Sequence, residues 1–275
     1  MPEGYLPGEW EEQKKWMIKK VTGVFTTVGS NEMAAFYVYV ATFLGGLLWH
    51  CRRAFWRVLV PIEVVLLVMA IVYSESRGAL LSVIAGVGYS FTRGKKWVNR
   101  AAVVVCFFLP AFASDMSAAT RFDLWKSAIR FGIQYPLGIG YHVFPLKNQE
   151  VNDLKLDTHN YFLRALAEIG PIGFFCIVSA FLACIKLGWM LHDTARTDFS
   201  KGIGRGCAMM WASAVVCNMF GDRMSHGHTG IVVWSLTGLA TALLLQEQRA
   251  RHAAEVVHVA PQLDPCLGQA ELVAR

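Results

Sequence analysis

Apolar residues along this chain come in long runs, and polar residues come in short clusters between them. The runs 58–73, 101–113 and 172–185 carry few charges or none. A bilayer core takes about 20 mostly apolar residues per helix, and several runs approach that length once flanking small and aromatic residues are included. The pattern predicts seven spans, at 33–49, 57–73, 78–92, 98–114, 171–190, 205–220 and 229–246. The third is short and glycine-rich, so it is expected to tilt or bend. The expected fold is all-α: a polytopic helix bundle with one large external loop, 115–158, containing short amphipathic helices.

Sidedness follows from where the basic residues fall. One set of connections holds Arg52, Arg53 and Arg57, then Arg93, Lys95, Lys96 and Arg100, then Lys186, Arg196, Lys201 and Arg205. That side is expected to be cytoplasmic. The other side holds most of the acids, among them Glu75, Asp123, Glu150, Asp157 and Asp222. On this reading 1–32 is an external segment, 33–246 the membrane domain, and 247–275 a disordered cytoplasmic tail. An external N-terminus with no export signal, together with an odd span count, predicts the C-terminal part of a longer membrane protein or a short version of one.

Composition agrees with the pattern. Of 275 residues, 55% are hydrophobic and 17% charged, against about 25% charged in an average soluble domain. The net charge of +6 does not indicate nucleic acid, because the basic residues form short clusters between apolar runs. The seven cysteines show no CxxC or other metal-ligand spacing, so they read as small apolar filler. His226-Gly227-His228 is a metal pair by residue type only, with no ligand cluster around it.

Chemistry gathers in four segments that the topology puts on one face. Ser74-Glu75-Ser76-Arg77-Gly78 ends the second span. Arg77 is either an interfacial anchor or an anion clamp, since guanidinium binds phosphate oxygens bidentately and stays charged. Around Arg121, the residues Phe122, Trp125, Ile129 and Ile133 recur at helical spacing, giving an apolar face for a helix lying on the membrane surface. Tyr135-Pro136-Leu137-Gly138-Ile139-Gly140-Tyr141 reads as a structural turn with close backbone approach.

The last segment, Asp157-Thr158-His159-Asn160, is expected to open a helix near His159, capped by Thr158 or Asp157. Gly170-Pro171 should break that helix before it enters the membrane. Arg164 and Glu168, four apart, suit a local ion pair. A histidine at a helix N-terminus is held neutral and can act as a general base, or it can be purely structural.

In this order, these segments resemble the O-antigen ligase/polymerase superfamily of bacterial membrane glycosyltransferases. The resemblance rests on Gly23, Phe25, Asn31, Ala34 and Ala35, then Ser76-Arg77-Gly78-Ala79-Leu80-Leu81. It continues through Arg121…Trp125, Pro136-Leu137-Gly138-Ile139-Gly140 and His159-Asn160-Tyr161…Leu166-Ala167-Glu168-Ile169-Gly170, and closes on Trp234-Ser235-Leu236-Thr237-Gly238-Leu239-Ala240.

The resemblance implies an inverting, metal-independent transfer of a glycan from a polyprenyl-diphosphate donor to an acceptor hydroxyl, without a cofactor. The site would face the periplasm from the bacterial inner membrane. It implies that Arg77 and Arg121 hold the donor diphosphate and that His159 activates the acceptor, with Asn160, Arg164 and Glu168 in support. A transporter would instead need ionisable groups facing one another at mid-membrane. The spans offer little of that kind; Glu63 reads as lying near the cytoplasmic end of its span. An inactive fragment or assembly subunit is the other alternative.

Overall fold

A computed structural model of the chain describes residues 30–50, 52–93, 116–153 and 155–263. Among these are eight helices and no strand: α1 (Ser30–Leu48), α2 (Ala54–Tyr73), α3 (Arg77–Phe91), α4 (Met116–Gln134), α5 (Phe144–Asn152), α6 (Tyr161–Thr194), α7 (Asp198–Met219) and α8 (Gly227–Leu263). The all-α membrane architecture expected from the apolar runs is what forms. Four helices, α1, α2, α6 and α8, are long and apolar enough to cross a bilayer, and α3 is a shorter apolar helix. The span expected at 98–114 lies outside the described residues.

α2 and α7 show how differently two spans can be built. On α2, residues such as Val58, Ile62, Val65, Leu66, Met69 and Val72 are exposed, and only Val60 and Ile71 are buried. Its 20 residues measure about 30 Å at ~1.5 Å per residue, the thickness of a hydrocarbon core. Glu63 lies halfway along this helix and is exposed, not near its end as the sequence suggested.

α7 is the reverse. It packs against α1, α3, α6 and α8, and residues from Ile203 to Asn218 are almost all buried. A helix wrapped by protein needs no apolar exterior, which is why α7, although expected as a span, does not have the apolarity of one.

Close backbone approach makes this wrapping possible. A Cβ on Gly46 would lie 2.2 Å from the Gly206 nitrogen, and one on Gly206 would lie 2.3 Å from the Phe43 carbonyl oxygen. Small residues at such crossings let dispersion contacts between helices accumulate. Inside, Trp211 is fully buried between Phe181 and Trp234 and donates from Nε1 to Thr237 Oγ1 at 2.8 Å.

The two ends of the bundle are separately fastened. At one end Arg93 pairs with Asp193, Arg52 pairs with Asp198, and Arg205 donates to Ser90 Oγ at 2.8 Å while lying over the Trp49 ring. The other end gathers the starts of α1, α3, α6 and α8, and the loop 220–226 that follows α7. α8 continues to Leu263, so the first part of the stretch read as a tail is helical. Its run Gln246-Glu247-Gln248-Arg249-Ala250-Arg251 consists of good helix formers.

α4 and α5 cover the second end. Leu124, Trp125, Ala128 and Phe131 of α4 pack with Phe144, Leu163 and Ala167. The sequence predicts for this helix an apolar face of Phe122, Trp125, Ile129 and Ile133, lying on the membrane surface. Of these only Trp125 is buried, and Ile129 and Ile133 are exposed. The helix is apolar on two sides, and the side bearing Leu124 and Ala128 packs against α6.

α6 is broken where glycine and proline predicted. Gly170 has φ 73°, ψ 177°, a conformation that favours glycine. Pro171 has no N–H to give the Ala167 carbonyl. That carbonyl accepts instead from Ile139 N at 2.9 Å, and the Glu168 carbonyl accepts from Gly140 N at 3.0 Å. The 135–141 turn thus satisfies what the break leaves open.

Gly206→Ala should destabilise the bundle by about 1–3 kcal/mol through overpacking. Gly88→Ala, whose Cβ meets nothing within 4 Å, should be neutral or slightly stabilising. Thermal unfolding of the two variants in detergent checks this; equal melting temperatures would contradict the close crossing.

Candidate functional site

The loop before α6 is built residue by residue. Asp157 Oδ1 accepts from Thr158 N at 2.7 Å. The Thr158 hydroxyl donates to the Asn160 carbonyl at 2.8 Å and accepts from Asn160 N at 3.2 Å. Asn160 then caps α6, its Oδ1 accepting from Phe162 N at 3.0 Å and Leu163 N at 3.1 Å.

Asn160, not Thr158 or Asp157, is therefore the cap. His159 precedes it, with a left-handed φ of 50°, and so does not lie in the first turn of the helix. A non-glycine residue in this region persists only where its surroundings hold it. Here the Thr158 and Asn160 side chains are both buried and bonded on either side, and His159 between them is exposed.

α4 holds this loop against Arg121. Trp125 Nε1 donates to the Thr158 carbonyl at 3.0 Å, and Arg121 stands one helical turn before Trp125. Arg121 is half-buried, and its Nε has no hydrogen-bond partner among the described residues. Burial, and then the nearby Arg223 guanidinium, lower its pKa from the ordinary arginine value. The His159 pKa is lowered too: loss of hydration around the ring is the largest cause and Arg121 the second, with Arg223 adding and Asp157 and Glu32 opposing. His159 and Arg121 are thus electrostatic neighbours, with Arg223 and Glu32 near enough to act on the His159 ring.

Arg77 begins α3 at the same end of the bundle and is exposed. The adjacent Gly78 abuts Phe220, three residues before Arg223, which places Arg77 on the neighbouring rim.

Arg164 and Glu168 do form their expected ion pair, at 3.1 Å, within a larger buried cluster. The Arg164 guanidinium also reaches Asp157 Oδ2 at 2.9 Å, Asp222 Oδ2 at 2.5 Å and His142 Nδ1 at 2.5 Å. Because guanidinium only donates, the His142 Nδ1 must accept. Glu168 Oε1 also accepts from the Phe144 N–H at 3.2 Å, at the start of α5. One cation therefore joins the loop before α6, the turn before α5 and the loop after α7.

The pattern along the chain did not single out Arg223, Glu32 or His142. Arg223 did leave a signal, as an arginine in a short turn on the acidic side. A separate shallow polar groove, about 340 Å³ and lined by Asp123, Lys126, Ser127, Arg130, Asn148 and Asn152, lies on the face of α4 opposite Arg121, as the helical period requires.

Arg164→Met should cost about 3–5 kcal/mol, because it strands buried carboxylates without their cation. Adding Glu168→Gln should recover part of the loss. Chemical or thermal unfolding of the single and double variants measures both steps, and a melting temperature unchanged by Arg164→Met would show that the cluster is not structural.

Residues 62–178 match the family model described as O-antigen ligase. No curated protein matches the chain. The matched segment runs from α2 through the break in α6 and contains Arg77, Arg121, His159, Arg164 and Glu168. Over that segment the chain is similar to the O-antigen ligase family, and with its apolar helices it is a multi-pass membrane protein.

Proposed function

We propose that this chain transfers a glycan from a polyprenyl-diphosphate donor to an acceptor hydroxyl, at a site facing the periplasm from the bacterial inner membrane. The observation that carries this reading is the pairing of an exposed His159, its pKa lowered, with a half-buried arginine whose Nε has no partner among the described residues.

In the proposed step the acceptor oxygen attacks the anomeric carbon from the side opposite the diphosphate. The new C–O bond forms as the bond to the leaving oxygen breaks. That electron pair goes to the diphosphate, and the acceptor proton goes to the His159 ring. Arg121, with Arg77 on the rim, offsets the charge that develops on the leaving group. Charge placed in advance where it will develop is commonly the largest contribution to catalysis. A base positioned for the acceptor hydroxyl adds roughly 10²–10⁴-fold. Asn160 fixes the direction of the His159 ring through its cap, and Arg164 and Glu168 hold the surrounding loops.

Two measurements test the proposal. Arg121→Ala should lower transfer in membranes by two orders of magnitude or so, the scale of losing one charge-stabilising group. Full transfer activity in that variant would sink the assignment. For pH, the base must be neutral, and the His159 pKa is depressed below 6.5. Activity should therefore persist as pH falls through 6.5 and be lost only at lower pH. In ring-labelled NMR titration, His159 of the Arg121→Ala protein should titrate at higher pH than in the parent, because a neighbouring cation is gone. A titration point at or above the ordinary histidine value in the parent would contradict the base role.

A further inference from the structure

Arg121 and Arg223 are like charges near enough to act on one another. Arg121 brings a buried Nε with no partner among the described residues. Arg223 is held by a purpose-built loop. Fully buried Asn218 accepts from Arg223 N at 3.1 Å and Met224 N at 3.2 Å through Oδ1, and donates to Tyr39 Oη at 3.1 Å and the Ala214 carbonyl at 2.8 Å through Nδ2. The Arg223 guanidinium folds back over Gly221, where an added Cβ would come within 2.6 Å of it. Its charge is met by Glu32, at the start of α1, in a direct ion pair. Glu32 also lies 3.9 Å from His226 Nε2.

Two neighbouring guanidiniums repel unless an anion lies between or beside them. Glu32 supplies one negative charge to Arg223, and no carboxylate pairs with Arg121 among the described residues. A diphosphate carries charge enough for both and has oxygens on two phosphorus atoms to match two guanidinium forks.

We propose that Arg223 is a donor-phosphate ligand alongside Arg121, and that Glu32 is its resting counter-ion, displaced when the donor's diphosphate arrives. This rests on the glycan-transfer reading above. In the free protein the Glu32 carboxylate stands where a phosphate oxygen will stand. On binding, Arg223 exchanges a carboxylate for a phosphate partner, and Glu32 keeps His226 as a neighbour. Glu32 therefore competes with the donor, and removing its charge should strengthen anion binding.

The test is calorimetric titration of the purified full chain in lipid nanodiscs with inorganic pyrophosphate, and with inorganic phosphate as the analogue of a lipid-headgroup phosphate. Pyrophosphate should bind more tightly than phosphate. Glu32→Gln should bind pyrophosphate several-fold more tightly than the parent, a gain that misfolding cannot produce. Arg223→Ala should bind at least about tenfold more weakly, the scale of losing a charged donor. Arg130→Ala, on the far face of α4, should bind as the parent does.

If Arg121→Ala loses affinity while Glu32→Gln and Arg223→Ala match the parent, this assignment is wrong and the transfer reading stands. If the parent binds pyrophosphate no better than Arg121→Ala does, the anion site itself is absent and both fall. Preference for phosphate over pyrophosphate would overturn the diphosphate assignment in favour of a headgroup.

Discussion

The buried guanidinium of Arg164 is the constraint on which the candidate site depends. It lies among the carboxylates of Asp157, Glu168 and Asp222 and the ring of His142, and those groups come from four separate stretches of chain. Taking such charges out of water is expensive, and only good geometry and further hydrogen bonds repay it. The repayment here includes the Phe144 N–H on Glu168 and the Thr158 N–H on Asp157. What the cluster yields is a fixed relation between loops that share no backbone pairing. Asp157 is two residues from His159, and Asp222 is next to Arg223. Holding those two carboxylates to one cation fixes where His159 and Arg223, far apart in sequence, lie relative to one another.

The sequence made the membrane elements legible because lipid-facing surface has a compositional signature. α2 shows it fully, and the runs that became α1, α6 and α8 show it well enough to be placed. The break at Gly170-Pro171 was equally legible, since missing N–H groups and positive φ are written in residue type. The buried face of α4 was not. Its helix carries apolar residues on two sides, and periodicity alone does not say which side meets protein and which meets lipid. The cap at Asn160 was missed by two or three residues because Asp157, Thr158 and Asn160 are all competent caps. Only the placement of His159 in a left-handed conformation decides among them.

Long-range ionic partners were illegible for a different reason. Glu32 and Arg223 are 191 residues apart, and nothing local distinguishes either from an interfacial charge. By contrast Arg164 and Glu168, on one helix, were paired by spacing alone, yet spacing gave no hint of Asp222 or His142. α7 falls between these cases. Its apolar residues marked a span at 205–220, and only the packing of α1, α3, α6 and α8 around it explains why a central helix can carry so many small residues.

The break in α6 also bears on how the protein meets membranes of different thickness. A span longer or shorter than the local hydrocarbon layer adjusts by tilting. In an unbroken helix that tilt would be carried through the i→i−4 ladder into the loop bearing His159. Here Pro171 has no N–H for the Ala167 carbonyl, and the Ala167 and Glu168 carbonyls are tied to Ile139 and Gly140 outside the helix. The membrane portion can lean about Gly170 while the first turns stay anchored to α4 and α5. The candidate site around His159 and Arg121 is thereby mechanically insulated from the bilayer in which the protein sits.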